Sequence, residues 1–238
     1  MIRVSVIVPA YNEAATIVPL LREVRAQKVE GIEFEVVVVD DGSKDDTLAL
    51  LEQNPSLFDT LVKQPKNGGK GAAVIAGLKH ATGQYILFQD ADLEYSPSHY
   101  ELMLMPVKSF GAEIVMGSRF SAPLYTRVQY FSHKMGNRLI TLIFNLLNNT
   151  TFTDIYTCYL LYKRDLINPE ELISLGWEQQ AEILGHAVRR AKVIYEVAIS
   201  YHGRSFEEGK KIRGWHTIAV VIMIFRRAMA TSGHPKAR

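Results

Sequence analysis

The 238-residue sequence has a single cysteine, Cys158, which excludes an internal disulfide. No cluster of Cys and His stands at metal-ligand spacing, so no zinc module is expected. It also has no run of about 20 apolar residues, the length a membrane-crossing helix needs. The longest candidate, Ile218 to Phe225, is bracketed by His216 and Arg226-Arg227. The opening stretch, Met1 to Pro9, lacks the long apolar core and small-residue cleavage site of a secretion signal. Repeats, low-complexity segments and a clear linker are all missing, which argues for one domain. Net charge is only +2, but it is unevenly placed: Ile183 to Arg238 carries 11 Lys and Arg against three Glu. A basic end suits an anionic partner (phosphate, membrane surface or nucleic acid), or is simply a solvated helical face.

What is present is an apolar fraction of 47%, enough for a sizeable core. The β-branched runs Val4 to Val8 and Val36 to Val39 read as buried strands. Leu61 to Gln64 and Tyr85 to Gln89 read as two more. Between them lie helical patterns: Glu13 to Ala26 with its stripe Ile17, Leu20, Leu21 and Val24; Thr47 to Gln53, capped by Asp46 or Ser43; and Gly71 to Ala81, stopped by Gly83. Such alternation predicts an α/β fold with a mostly parallel sheet. Beyond Phe120 it fades. Tyr125 to Asn149, Trp177 to Arg190 and Trp215 to Ala230 read as helices. Thr151 to Tyr162 and Lys192 to Ser200 read as strands.

In parallel sheets, ligands gather at the carboxyl ends of strands. The polar clusters fall there: Pro9 to Glu13, Asp40-Asp41-Gly42-Ser43, and Asp90-Ala91-Asp92 with Glu94. Two carboxylates at i and i+2 repel each other unless a cation joins them, and hard oxygens suit Mg²⁺ or Mn²⁺. The same loop also suits a simple cap for a helix starting at Ser96-Pro97. Asn67 to Ala73 is not a P-loop, and it mimics only part of a dinucleotide fingerprint because Val74 replaces the third glycine. Its Lys70 is placed to approach a phosphate, or the glycines serve a turn. Arg204, Lys210 and Lys211 suit a pyrophosphate clamp, or form an exposed charged loop.

Together these pieces resemble the family 2 glycosyltransferases of the GT-A fold, in particular the dolichyl- and polyprenyl-phosphate sugar synthases and their bacterial relatives. The resemblance rests on Pro9 to Glu13, Asp40 to Ser43, Lys70-Gly71, Asp90 to Leu93, Gly117-Ser118-Arg119 and Glu207 to Ile212, in family order. It implies a Rossmann-like, mixed but mostly parallel sheet flanked by helices. The catalytic domain would span residues 1–212, and residues 213–238 would be an amphipathic, basic helical extension. By the same resemblance, Pro9, Tyr11, Glu13, Val39, Asp41, Lys70, Asp90 and Ala91 would bind the nucleotide sugar. Asp90, Asp92 and Glu94 would serve an Mg²⁺ or Mn²⁺ ion. Asp92, Asp154, Arg119, Arg204 and Lys210 would form the catalytic set, with Asp154 as the base if the acceptor is a hydroxyl.

The segment Thr153 to Tyr159 departs from the common Ser-Gly-Phe form, and the Gln-x-x-Arg-Trp motif of processive synthases is missing. A processive polymerase is therefore not expected, and the resemblance implies a single inverting transfer from GDP-mannose or a UDP-hexose to a polyprenyl or dolichyl phosphate. A soluble transferase to a saccharide or protein hydroxyl, and a non-catalytic nucleotide-binding module, are the alternatives. Attachment is expected at the cytoplasmic face of a membrane, directly or through a membrane partner, and no nucleic acid is expected to bind.

Overall fold

The computed structural model describes residues 1–121, 130–203 and 216–229. Its sheet has seven strands: β1 (Ile2–Ala10), β2 (Ile32–Asp40), β3 (Thr60–Lys63), β4 (Tyr85–Phe88), β5 (Ile114–Ser118), β6 (Leu160–Lys163) and β7 (Ile194–Ala198). Their order is β3-β2-β1-β4-β6-β5-β7. β6 runs antiparallel to both β4 and β5, and the other pairs are parallel. The expected mixed, mostly parallel sheet is therefore present. Val6 to Val8 and Val36 to Val39 have no exposed surface, because helices cover both faces of these central strands.

The helices are α1 (Ile17–Ala26), α2 (Thr47–Gln53), α3 (Lys70–His80), α4 (Tyr100–Phe110), α5 (Phe131–Asn148), α6 (Gln179–Arg190) and α7 (His216–Met229). All four residues of the α1 stripe are buried, as their spacing requires. α2 is held differently from expectation. Neither Asp46 nor Ser43 caps it; Asp45 Oδ1 accepts the Thr47 N–H at 3.0 Å and its hydroxyl at 2.5 Å. α3 ends at His80, before Gly83, where Ala81 turns extended. Of the expected strand Thr151 to Tyr162, only β6 is strand. The stretch before it bonds to side chains instead: Phe152 N–H donates to Asn145, and Thr153 N–H to Glu196.

α7 packs on α5 and α6, with Val220, Met223 and Ile224 buried. The buried carboxylate of Glu35 serves the sheet itself. It accepts from the Ser5 hydroxyl and from Thr82 N–H and Oγ1 at 2.8 and 2.7 Å. Burial raises its pKa, but these bonds and Arg3 hold it below the usual value.

Candidate functional site

β1, β2, β4 and β5 all deliver their carboxyl ends to one edge of the sheet. A cavity of about 900 Å³ opens there. Pro9, Tyr11, Glu13, Asp41, Lys70, Asp90, Ala91, Asp92, Glu94 and Arg119 all line it. Two expected residues do not. Val39 is fully buried in β2, beneath α3 at Gly77. Asp154 has no exposed surface and is absent from the cavity wall. Arg204 and Lys210, with the rest of the basic cluster, lie outside the described residues.

The acidic loop 90–95 is set by a residue the sequence reading passed over. Gln89 is fully buried at the end of β4. Its Nε2 donates to the carbonyls of Asp90 (3.1 Å) and Tyr95 (3.0 Å). Its Oε1 accepts from the hydroxyls of Tyr100 (2.9 Å) and Tyr159 (2.8 Å). A buried amide satisfied on both ends is a rigid anchor. Within the loop Leu93 takes φ 61, a conformation L-residues seldom adopt. Asp92 Oδ1 accepts the Glu94 N–H at 3.1 Å. The only sequence signal for Gln89 is a polar residue closing an apolar strand.

Lys70 crosses to this loop. Its Nζ lies 2.6 Å from Asp90 Oδ1 and 5.2 Å from the centre of the Trp177 ring. Burial pulls the ammonium pKa down, but the Asp90 charge outweighs it and holds the group above its ordinary value. Lys70 is therefore a fixed cation at the wall of the cavity.

The glycines before and after Lys70 answer a close approach, not a phosphate cradle. Leu175 C=O accepts the N–H groups of Gly71 (2.9 Å) and Ala72 (3.3 Å), in the first turn of α3. A Cβ on Gly71 would lie 2.2 Å from Ser174 O, and one on Gly69 2.5 Å from Leu175 O. Asp41 takes the other side of this loop, accepting from Gly68 N–H at 2.9 Å and Gly69 N–H at 3.0 Å. Burial raises its pKa against these bonds.

Arg119, just past β5, lines the same cavity. Its Nε donates to Asp154 Oδ2 at 2.6 Å, and its Nη2 to Asp154 Oδ1 at 2.9 Å and Tyr156 O at 2.7 Å. These bonds use Nε and both protons of Nη2; the Nη1 group is not among them. Tyr201 lies under the guanidinium, 5.1 Å from its ring centre. The Tyr201 hydroxyl donates to Glu94 Oε2 at 2.6 Å, linking the acidic loop to Arg119. Tyr156 also lines the cavity, and burial pushes its hydroxyl up to about 12.

The acidic donors fit a divalent cation only in part. Asp90, Asp92 and Glu94 share one wall, but no ready-made group of three ligating side chains exists among the described residues. Glu94 is engaged by Tyr201. A pair of carboxylates in an open cavity fits an ion that also takes oxygens from a bound phosphate.

Residues 5–168 match the model of the family described as glycosyl transferase family 2. Dolichol-phosphate mannosyltransferase of Pyrococcus furiosus is 27% identical over 220 residues, 88% of this chain and 60% of that protein. A dolichyl-phosphate beta-glucosyltransferase of Trichomonas vaginalis is 39% identical over 127 residues, 48% of this chain and 37% of that one. The chain thus spans less than two thirds of the length of these relatives. Glucosyl-3-phosphoglycerate synthase of Mycobacterium tuberculosis, solved with Mn²⁺, UDP and glucosyl-3-phosphoglycerate, superimposes with a TM-score of 0.71 at 20% identity, covering 99% of this chain and 82% of that one. At that identity the match speaks to the fold, which is GT-A.

Proposed function

The chain belongs to glycosyl transferase family 2, and from that premise we propose that it moves a hexose from a nucleoside-diphosphate sugar to a polyprenyl phosphate, inverting the anomeric centre. One observation carries the acceptor class. Arg119 and the Lys70–Asp90 pair line the same cavity, while Asp154, the candidate base, is locked in its buried pair with Arg119. A hydroxyl acceptor needs a base to take its proton; a phosphate oxygen is already ionised and needs none.

In this reading, Pro9, Tyr11, Glu13 and Asp41 border the nucleoside, and Lys70 neutralises charge on the departing diphosphate. Arg119 binds the acceptor phosphate with its remaining donors, and Asp154 is a positioning residue. Attack comes in line, from the side opposite the diphosphate. Asp90 and Asp92 would hold Mg²⁺ or Mn²⁺, which supplies further neutralisation of the leaving group. Arg204 and Lys210 are proposed to add to that charge.

The catalytic unit is read as residues 1–212, with 213–238 as an extension. No helix among the described residues is long and apolar enough to cross a membrane. α5 and α7 do carry exposed apolar side chains, among them Phe131 (80% exposed), Leu146 (75%) and Met229 (69%). We place this face against the cytoplasmic side of a membrane, where a lipid-borne phosphate would be met. Failure to float with anionic vesicles at low salt would remove that placement.

The test of the reaction is sugar transfer with Mn²⁺ and either UDP-glucose or GDP-mannose. A short polyprenyl phosphate, the matching free polyprenol and a saccharide serve as acceptors. Product from the phosphate alone is expected. Product from a hydroxyl acceptor would overturn the acceptor class, and nucleotide binding without turnover would favour a binding module.

A further inference from the structure

A chain of contacts links the last helix to the donor side of the cavity. Glu182, on α6, has no exposed surface. Its Oε1 pairs with Arg227 Nη2 on α7. Its Oε2 accepts the N–H groups of Ser174 at 2.8 Å and Ile173 at 3.1 Å. The next residue, Leu175, supplies the carbonyl that caps Gly71 and Ala72. Lys70 begins that same helical turn and reaches Asp90, with Trp177 under its ammonium.

There is no slack in this chain. The backbone of 174–175 lies so close to Gly69 and Gly71 that even a methyl group would collide with it. A shift of 173–175 must therefore move the first turn of α3. The charge of Glu182 fixes 173–175 only while a cation balances it, since an unbalanced buried carboxylate draws in water or a proton.

We propose that Arg227 and Glu182 are positioning residues for Lys70, so that the seating of α7 on α6 sets the affinity for the donor. The proposal rests on reading Lys70 as the donor-side cation. It makes the C-terminal helix part of the binding apparatus and not an appendage. Arg227 is suited to the task because it lies along Gly185, where a Cβ would be only 3.6 Å from its own Cβ, and is itself largely buried.

The test uses the full chain with Arg227→Met, Arg227→Lys and Glu182→Gln. Amide hydrogen exchange is followed at Gly71, Ala72, Ile173 and Ser174, beside donor KM, kcat and Tm. Arg227→Met should speed exchange at these amides by about tenfold while β1 stays protected. Donor KM should rise about tenfold with kcat within about threefold, and Arg227→Lys should restore both. If Arg227→Met does not fold, Glu182→Gln, which keeps the shape and one acceptor, should show the same split. A lower Tm with unchanged exchange at Gly71 and unchanged donor KM would reduce Arg227 to a helix staple and overturn the proposal. Exchange that responds in a protein whose wild type binds no nucleotide sugar would instead leave the contact chain standing and overturn the donor reading.

Discussion

Replacing Asp154 by Asn separates a positioning carboxylate from a proton acceptor. Asp154 is fully buried and Arg119 is 7% exposed. Besides the two guanidinium bonds, Asp154 accepts the N–H groups of Arg119 and Tyr156, both at 3.2 Å. The amide would leave a buried guanidinium with only the Tyr156 carbonyl and one weaker acceptor. Removing one partner of a buried ion pair costs about 3–5 kcal/mol. A chain of this size loses roughly 2–4 °C of Tm per kcal/mol. The retained acceptor puts the loss at the lower end, so Tm should fall by about 6–12 °C. The double variant Arg119→Met/Asp154→Asn removes both charges at similar volume, a change that is often close to neutral, and the amide oxygen stays as an acceptor for the buried backbone N–H groups of Arg119 and Tyr156. Its Tm should return to within about 3 °C of wild type, yet transfer should stay lost because Arg119 is gone. Thermal denaturation beside initial rates from pH 6 to 9 reads both. An Asp154→Asn protein with unchanged Tm but no turnover, beside a wild-type rate that falls on the acid side, would mean that the carboxylate takes a proton.

Gly71→Ala should cost about 2–4 kcal/mol, since its Cβ meets carbonyl and backbone atoms that cannot move aside. Gly111→Ala, with φ 65 and open space, should cost only about 1–2 kcal/mol of backbone strain; urea denaturation giving the reverse order would refute the close approach. His99 donates from Nδ1 to Ser96 O at 3.1 Å and accepts the Ser200 N–H on Nε2 at 3.2 Å, an arrangement only the neutral ring can make. Burial lowers its pKa, with His202 nearby adding to the effect. The folded state thus binds fewer protons, and stability that is complete above about pH 6.5 should fall as pH drops below it. His186, lowered by burial and by Arg227, acts in the same direction. Tm measured from pH 5 to 8 should show this slope, and His99→Gln should lose part of it. A matching nucleoside diphosphate at about 100 times its Kd, with Mn²⁺, should stabilise by about 2.7 kcal/mol. EDTA or Asp92→Asn should abolish that shift, and a shift that survives both would remove the metal from the site.

The first half of the sheet was legible because each element there announces itself locally. Runs of valine, a 3.6-residue stripe and punctuating Asp-Gly or Gly-Gly steps require no distant partner to be recognised. β5 was missed for the opposite reason. Ile114 to Ser118 is short, and its strand character comes from pairing with β6 and β7, about 45 and 80 residues away. The body of α4 was obscured by Pro106, which the helix accommodates in its interior. In the site, the residues standing at strand ends could be named from sequence, but not what they touch. Nothing local shows that Lys70 binds Asp90, or that both oxygens of Asp41 hold the glycine loop. Nor does it show that Asp154 is sealed behind Arg119. These are long-range pairings that only the closed fold defines.

Those pairings also decide what kind of acidic site this is. Two carboxylates at i and i+2 repel each other, yet the loop is held from both sides. Gln89 fixes its backbone, and Lys70 neutralises Asp90 by a direct ion pair on the same wall. The resident ammonium removes much of the repulsion that would otherwise draw a cation to the free protein. On the proposed function, a divalent ion held by Asp90 and Asp92 would be drawn in chiefly with a phosphate ligand, which would add oxygens to a donor set the side chains leave short. A transferase working in this way would gather its positive charge where the proposed diphosphate leaving group sits and when it sits there. That is the point in the cycle at which a departing anion needs it.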